Sequence, residues 1–236
     1  MGLLEVLTKL IKYSNRLAAK VNRLKRDRII RNHAGETNDF FFVQIGANDG
    51  ISSDPINKFV NSYGWSGVLV EPQEDVFQTL RKNYQHRTNL ILENTAITGK
   101  DGYIDFYRSP DPSLSSAYPD DWFIGRNEGR ALKNRTDLGG GALCRVRSMT
   151  FAALLDKHSI RKIDLLQIDA EGYDYEIIKQ INFAKMAPLM ICYEHHHLSR
   201  ETQQECVAYL SKVGYKTFEL GSDTFAFTTK STVSAS

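Results

Sequence analysis

The sequence predicts an α/β, Rossmann-like fold: a mainly parallel seven-stranded sheet with helices on both faces and an antiparallel C-terminal hairpin. Three observations carry that expectation. From Phe40 onward, short apolar runs alternate with helical stretches, as in a parallel sheet buried on both faces. Two of those runs, Phe41 to Ile45 and Leu165 to Ile168, lead directly into turns of small and polar residues, as strands do at a ligand-binding sheet edge. Only Gly221, Ser222 and Asp223 separate the last two runs, which allows a hairpin and forbids a crossover.

The elements follow in order. Leu3, Leu10, Leu17 and Leu24 recur every seven residues, with Leu7 and Val21 in the complementary row and Ser14 and Arg28 interrupting it. This predicts an amphipathic helical arm over residues 1–32, a linker over 33–39, a catalytic domain over 40–230 and a disordered tail over 231–236. Within the domain, strands are expected at 40–45, 67–70, 90–93, 163–168 and 189–193, and at 215–220 and 224–228 for the hairpin. Helices fall at 55–63, 75–84, 150–158, 173–181 and 200–213, and a short β extension at 103–107. Residues 109–143 lack periodicity but hold Pro110, Pro112, Pro119 and Gly139 to Gly141, so they read as a substrate-contacting loop.

Composition bounds the class. The chain has 236 residues, 42% hydrophobic and 25% charged, enough to bury one core. The net charge of +2 is uneven: Lys9, Lys12, Arg16, Lys20, Arg23, Lys25, Arg26, Arg28 and Arg31 crowd the arm against Glu5 and Asp27 alone. Such an arm fits a solvated or dimer-forming helix, a possible homodimer seam, or peripheral contact with an anionic membrane or with nucleic acid. Three scattered cysteines match neither a zinc site nor a disulfide framework, which suits a reducing cytoplasm. No apolar run approaches the ~20 residues of a spanning helix, and signal-peptide and myristoylation patterns are missing. The expected localisation is cytoplasmic, with no transmembrane segment.

The chemistry gathers at strand ends. Gly46-Ala47-Asn48-Asp49-Gly50 follows the first strand, where glycines let backbone approach a ligand closely. Glu71-Pro72 ends the second strand, and a carboxylate there can accept both hydroxyls of an adenosine ribose. A dinucleotide would want G-x-G-x-x-G, but Asn48 and Ile51 occupy its second and third glycine positions. S-adenosylmethionine carries no pyrophosphate and suits the loop better. Asn94-Thr95-Ala96 could bracket an adenine after the third strand. Asp169-Ala170-Glu171-Gly172-Tyr173 repeats the strand-to-turn logic beside that donor. Finally, Glu194-His195-His196-His197 closes the next strand, with His195 and His197 on one side if the chain is extended. This cluster can supply a general base oriented by a carboxylate, serve structurally, or ligate a divalent ion, although its spacing matches no specific metal signature. The catalytic candidates are therefore Asp169, Glu194, His195 and His197, with no metal ligand assigned.

In that order, Gln44 to Gly50, Val70-Glu71-Pro72, Asn94-Thr95-Ala96 and Ile168 to Tyr173 together resemble the FkbM family of methyltransferases, over about 40–227. The resemblance implies a class I methyltransferase fold, S-adenosylmethionine as donor, and O-methylation of a sugar, glycan or secondary metabolite. It further implies that Gly46, Ala47, Asn48, Asp49 and Gly50 line the donor's amino acid end, Glu71 and Pro72 its ribose, Asn94 and Ala96 its adenine, and Asp169 the transferring methyl. Gln44 departs from the acidic residue many methyltransferases carry before this turn. The alternatives left open are an NAD-dependent oxidoreductase and a non-catalytic scaffold of the same fold. Nucleic acid is not the expected partner, because neither the Asn/Asp-Pro-Pro-aromatic motif nor a Pro-Cys nucleophile is present.

Overall fold

A computed structural model of the chain describes residues 3–34, 39–108 and 142–229. The expected substrate loop lies outside the described residues over 109–141, as do the tail from 230 and most of the linker.

Helix α1 (Leu3–Ala34) comes first and continues through His33. The main sheet then forms from β1 (Phe41–Ile45), β2 (Ser66–Val70), β3 (Leu90–Glu93), β7 (Leu165–Ile168), β8 (Met190–Glu194), β9 (Tyr215–Leu220) and β10 (Asp223–Thr228). Its spatial order is β3-β2-β1-β7-β8-β10-β9, parallel except for β10, which runs antiparallel to both β8 and β9. The strands and the closing hairpin therefore agree with the sequence expectation, and the hairpin turn tightens to Gly221 and Ser222 because Asp223 already pairs with Leu220.

Successive strand residues face opposite sides, so each strand feeds two cores. Val43, Val68, Leu166 and Ile191 pack with α4 (Phe151–Lys157), α5 (Asp174–Lys179) and α6 (Arg200–Lys212). Phe42, Leu69, Leu165 and Cys192 pack instead with the end of α1, α2 (Asn57–Tyr63) and α3 (Glu74–Asn83). There Trp65, fully buried, stacks on Phe40 and Phe59 with ring centroids 3.9 and 4.6 Å away. Burying one such aromatic contributes on the order of 2 to 3 kcal/mol.

Local chemistry sets the helix ends. Thr150 and Ser199 accept the N–H groups of Ala153 and Thr202, capping α4 and α6, while α2 stops at Gly64 in the left-handed region. Among the described residues no helix is long and apolar enough to cross a membrane.

A second sheet was not expected. It orders β4 (Ala96–Ile97), β6 (Ala142–Met149) and β5 (Gly102–Arg108) as β4-β6-β5. The sequence reading leaves Asn94-Thr95-Ala96 open between a plain loop and an adenine bracket and gives 144–149 no element, yet Ala96 and Ile97 pair with Ser148 and Met149. The missed signal is an alternation: Val146 and Ser148 are buried whereas Arg145 and Arg147, each preceding one of them, are exposed.

Candidate active site

The carboxyl ends of β1, β2 and β7 open into one pocket, walled on its far side by Thr95, Ala96, Ile97 and Phe106 from the small sheet and its approach. Side chains from distant parts of the sequence meet here because a parallel sheet brings all its loop-bearing ends to one edge.

The turn after β1 is built by close backbone approach. Gly46 has φ +80°, and a Cβ there would stand 1.9 Å from the carbonyl oxygen of Asp169, so any larger residue collides with the turn after β7. The N–H groups of Gly46 and Ala47 both donate to the Val70 carbonyl at 3.0 Å, and Asp169 N–H donates to that of Ile45 at 2.9 Å. These bonds tie the three strand ends together.

Glu71, 4% exposed, receives the Asn48 and Gln73 N–H groups on its two carboxylate oxygens at 3.0 and 2.9 Å. Burial pushes its pKa up to about 7 against the pull of those bonds. Oε1 also accepts the Gln73 side-chain amide at 3.5 Å, whereas Oε2 keeps a lone pair beyond its N–H partner, and the residue lines the pocket, where a carboxylate can accept a ribose hydroxyl.

Two further pocket residues escaped the sequence reading or were discounted by it. Gln44 and Gln167 stand opposite each other in the β1–β7 register and are both buried. Gln44 donates its amide to Asp54 at 2.7 Å, and the Oε1 atoms of both glutamines have no hydrogen-bond partner among the described residues. Both side chains line the pocket, and a buried carbonyl oxygen without a partner is uncommon. The available signal was a polar residue two positions before each turn, in otherwise apolar strands.

The expected donor-site residues divide into two groups, and Glu194, His195 and His197 lie outside the pocket lining. Gly46, Ala47, Asn48, Glu71, Pro72, Ala96 and Asp169 line the pocket. Asp49, Gly50 and Asn94 instead hold its walls in place. Asp49 accepts the N–H groups of Ile51 and Ser52 and the Ser52 hydroxyl, Gly50 lies beneath Leu80 and Tyr84, and the Asn94 amide donates to the carbonyls of Glu71 and Pro72.

On the β7–β8–β10 side, carboxylates crowd together. Asp169 is open to the cleft but walled by protein elsewhere, and that desolvation, with Asp223 and Asp54 nearby, pushes it up to about 6. Glu194 rises to about 9, through burial first and then through Asp169, Glu171, Asp174 and Asp223. Asp174, wholly buried, accepts the N–H groups of Gly172 and Glu194 at 3.1 Å. Arg26 opposes this charge 3.8 Å from Asp223, while His197 Nε2 lies 3.0 Å from Glu171 and 3.3 Å from Glu194. Glu171, Glu194 and His197 bring one potential metal-ligand atom each within 4.8 Å of one another.

The histidines are not on one side. The strand ends at Glu194 and the chain turns at His196, so the alternation of an extended chain no longer applies. The His195 ring bonds the Thr224 hydroxyl at 2.9 Å, outside the pocket lining, while His197 folds back onto Glu171, which does line it.

Comparison with known proteins follows this geometry. The family described as Methyltransferase FkbM domain matches residues 44–217. The structure of the FkbM methyltransferase from Methylobacillus flagellatus KT is similar with a TM-score of 0.51 at 10% identity, covering 81% of this chain and 44% of that one. The chain thus spans less than half of that protein. The precorrin-6y C5,15-methyltransferase from Geobacter metallireducens GS-15 is similar with a TM-score of 0.46 at 12% identity, covering 86% and 87%. No curated protein matches the sequence.

Proposed function

Since this chain belongs to the FkbM family of methyltransferases, we propose that it methylates a hydroxyl oxygen of a sugar, glycan or secondary metabolite. The donor is S-adenosylmethionine, whose sulfonium supplies an activated methyl group when bound. The observation that carries the reading is the pocket itself: it sets Glu71, the neutral side chains of Gln44 and Gln167, and the open carboxylate of Asp169 around one space.

The residues fit this donor in three ways. Glu71, braced by Asn48 and Gln73, accepts the ribose hydroxyls. Gln44 and Gln167 receive the ammonium through neutral carbonyl oxygens, which answers the missing acidic residue before Gly46. Ala96 and Ile97, held by the small sheet, form an apolar wall for the adenine.

Asp169 is the group placed to take the acceptor's proton. It faces the cleft, and a value near 6 keeps it ionised at neutral pH while close enough to accept a proton in the transition state. Glu171 and His197 position the acceptor beside it. Holding the two reactants in line can contribute ~7 to 11 kcal/mol, and a positioned base about 10²- to 10⁴-fold.

Calorimetry with S-adenosylhomocysteine, followed by turnover assays on a panel of hydroxylated acceptors, tests the proposal. Donor binding with methyl transfer to oxygen is the expected result. Transfer to nitrogen or carbon would reject the acceptor class, and no affinity for the donor product would reject the site.

A further inference from the structure

Helix α1 has two parts with different surroundings. Its C-terminal part is docked on the domain: Ile30 is fully buried, Arg26 reaches Asp223, Asp27 pairs with Lys58, and His33 stacks on Phe227. Asn22 joins this face, lying against Gly221. At 3.6 residues per turn, Tyr13, Leu17, Val21 and Leu24 stand about half a turn away from the Asn22, Arg26 and Ile30 row. They are 69%, 52%, 40% and 59% exposed. Among the described residues nothing covers this face, and a continuous apolar row marks an interaction surface.

Charge decides what covers it. Lys20 and Arg23 are exposed on the same stretch, and Leu24 shares a groove with Arg28, Arg31 and the Asp27–Lys58 ion pair. In sequence the row runs back through Leu10, Leu7 and Leu3, with Lys9, Lys12 and Arg16 between them, and Glu5 is the sole acid from Leu3 to Arg26. A second copy of the helix would set these cations against their own kind, with Ser14 and Arg28 spoiling the seam. An anionic lipid surface accepts the apolar row and the cations together, each cation near the surface favouring binding by a similar increment.

We propose that this outward face of α1 docks the protein on anionic membrane surfaces. The inference is independent of the methyl-transfer reading, since none of these residues lines the donor pocket. Co-sedimentation of the full chain with vesicles tests it, using phosphatidylcholine alone and phosphatidylcholine mixed equally with phosphatidylglycerol. The chain should bind the anionic vesicles, release with added salt, and ignore neutral ones. The double substitution Leu17→Glu, Leu24→Glu should weaken binding at least about tenfold, and Lys20→Glu, Arg23→Glu should weaken it too. All four positions are exposed, and matching thermal melts would show the variants folded. Three results would each overturn the proposal: no binding to anionic vesicles, binding that the leucine substitutions leave unchanged, or a lipid-free dimer in sedimentation that those substitutions dissociate.

Discussion

The two sides of the pocket handle their carboxylates in opposite ways. On the β1–β2 side, Glu71 is buried but both its oxygens receive backbone N–H groups, so its position is set before anything binds. On the β7–β8–β10 side, Asp169, Glu171, Asp174, Glu194 and Asp223 lie near one another, with Arg26 as a counter-charge and His197 between Glu171 and Glu194. The first side is suited to holding one ligand in one pose. The second is suited to moving protons, because burial and neighbouring carboxylates push Asp169 up to about 6 and Asp174 up to about 7.

The harshest way to break the contrast is to separate the two sides. Gly46→Ala would push a Cβ into the Asp169 carbonyl at a left-handed φ and should cost about 3 to 5 kcal/mol, a large share of total stability. Thermal melts read this directly, and an unchanged melting temperature would mean the close approach is not required.

Next in size, Glu71→Ala should lower donor affinity at least about 100-fold, because charge-assisted hydrogen bonds to both ribose hydroxyls are lost. Calorimetry against S-adenosylhomocysteine gives the number. An unaltered Kd would remove Glu71 from the donor site.

Asp169→Asn sharpens the other side. Turnover should fall about 100-fold while donor affinity changes little, and the acidic limb of the pH–rate profile near 6 should vanish. A variant that kept that limb would show that another group takes the proton.

Smaller is the pH effect on stability. A carboxyl whose folded value lies above its ordinary one takes up a proton on folding, so its stabilising contribution is present below the ordinary value and lost as pH rises through the folded one. For Glu194 that window runs from 4.5 to about 9. Melting temperature without donor should therefore decline across it, and Glu194→Gln should flatten the decline. An equal slope in both proteins would place the repulsion elsewhere.

The smallest effect separates the histidines. His195→Ala should leave turnover within a few-fold of the parent, since its ring bonds Thr224, and should cost only about 1 kcal/mol of stability. His197→Ala should lower turnover further, by displacing Glu171. Steady-state assays on the two variants decide between them, and a reversed order would return His195 to the chemistry.

How far the sequence reaches follows from what is local. It determined the strands, the helices, their order and the hairpin, because hydrophobic periodicity and turn residues act within a few positions. It also determined the family and the turns at Gly46, Glu71 and Asp169, since a strand end followed by small and acidic residues is a local pattern. Tertiary structure alone decided that Ala96 and Ile97 pair with Ser148 and Met149, that Gln167 faces Gln44, that Asp49 and Asn94 brace the walls, and that His195 turns away from the pocket. Those outcomes depend on which backbone groups and side chains meet across long stretches of chain, and no periodicity within one segment encodes the partner.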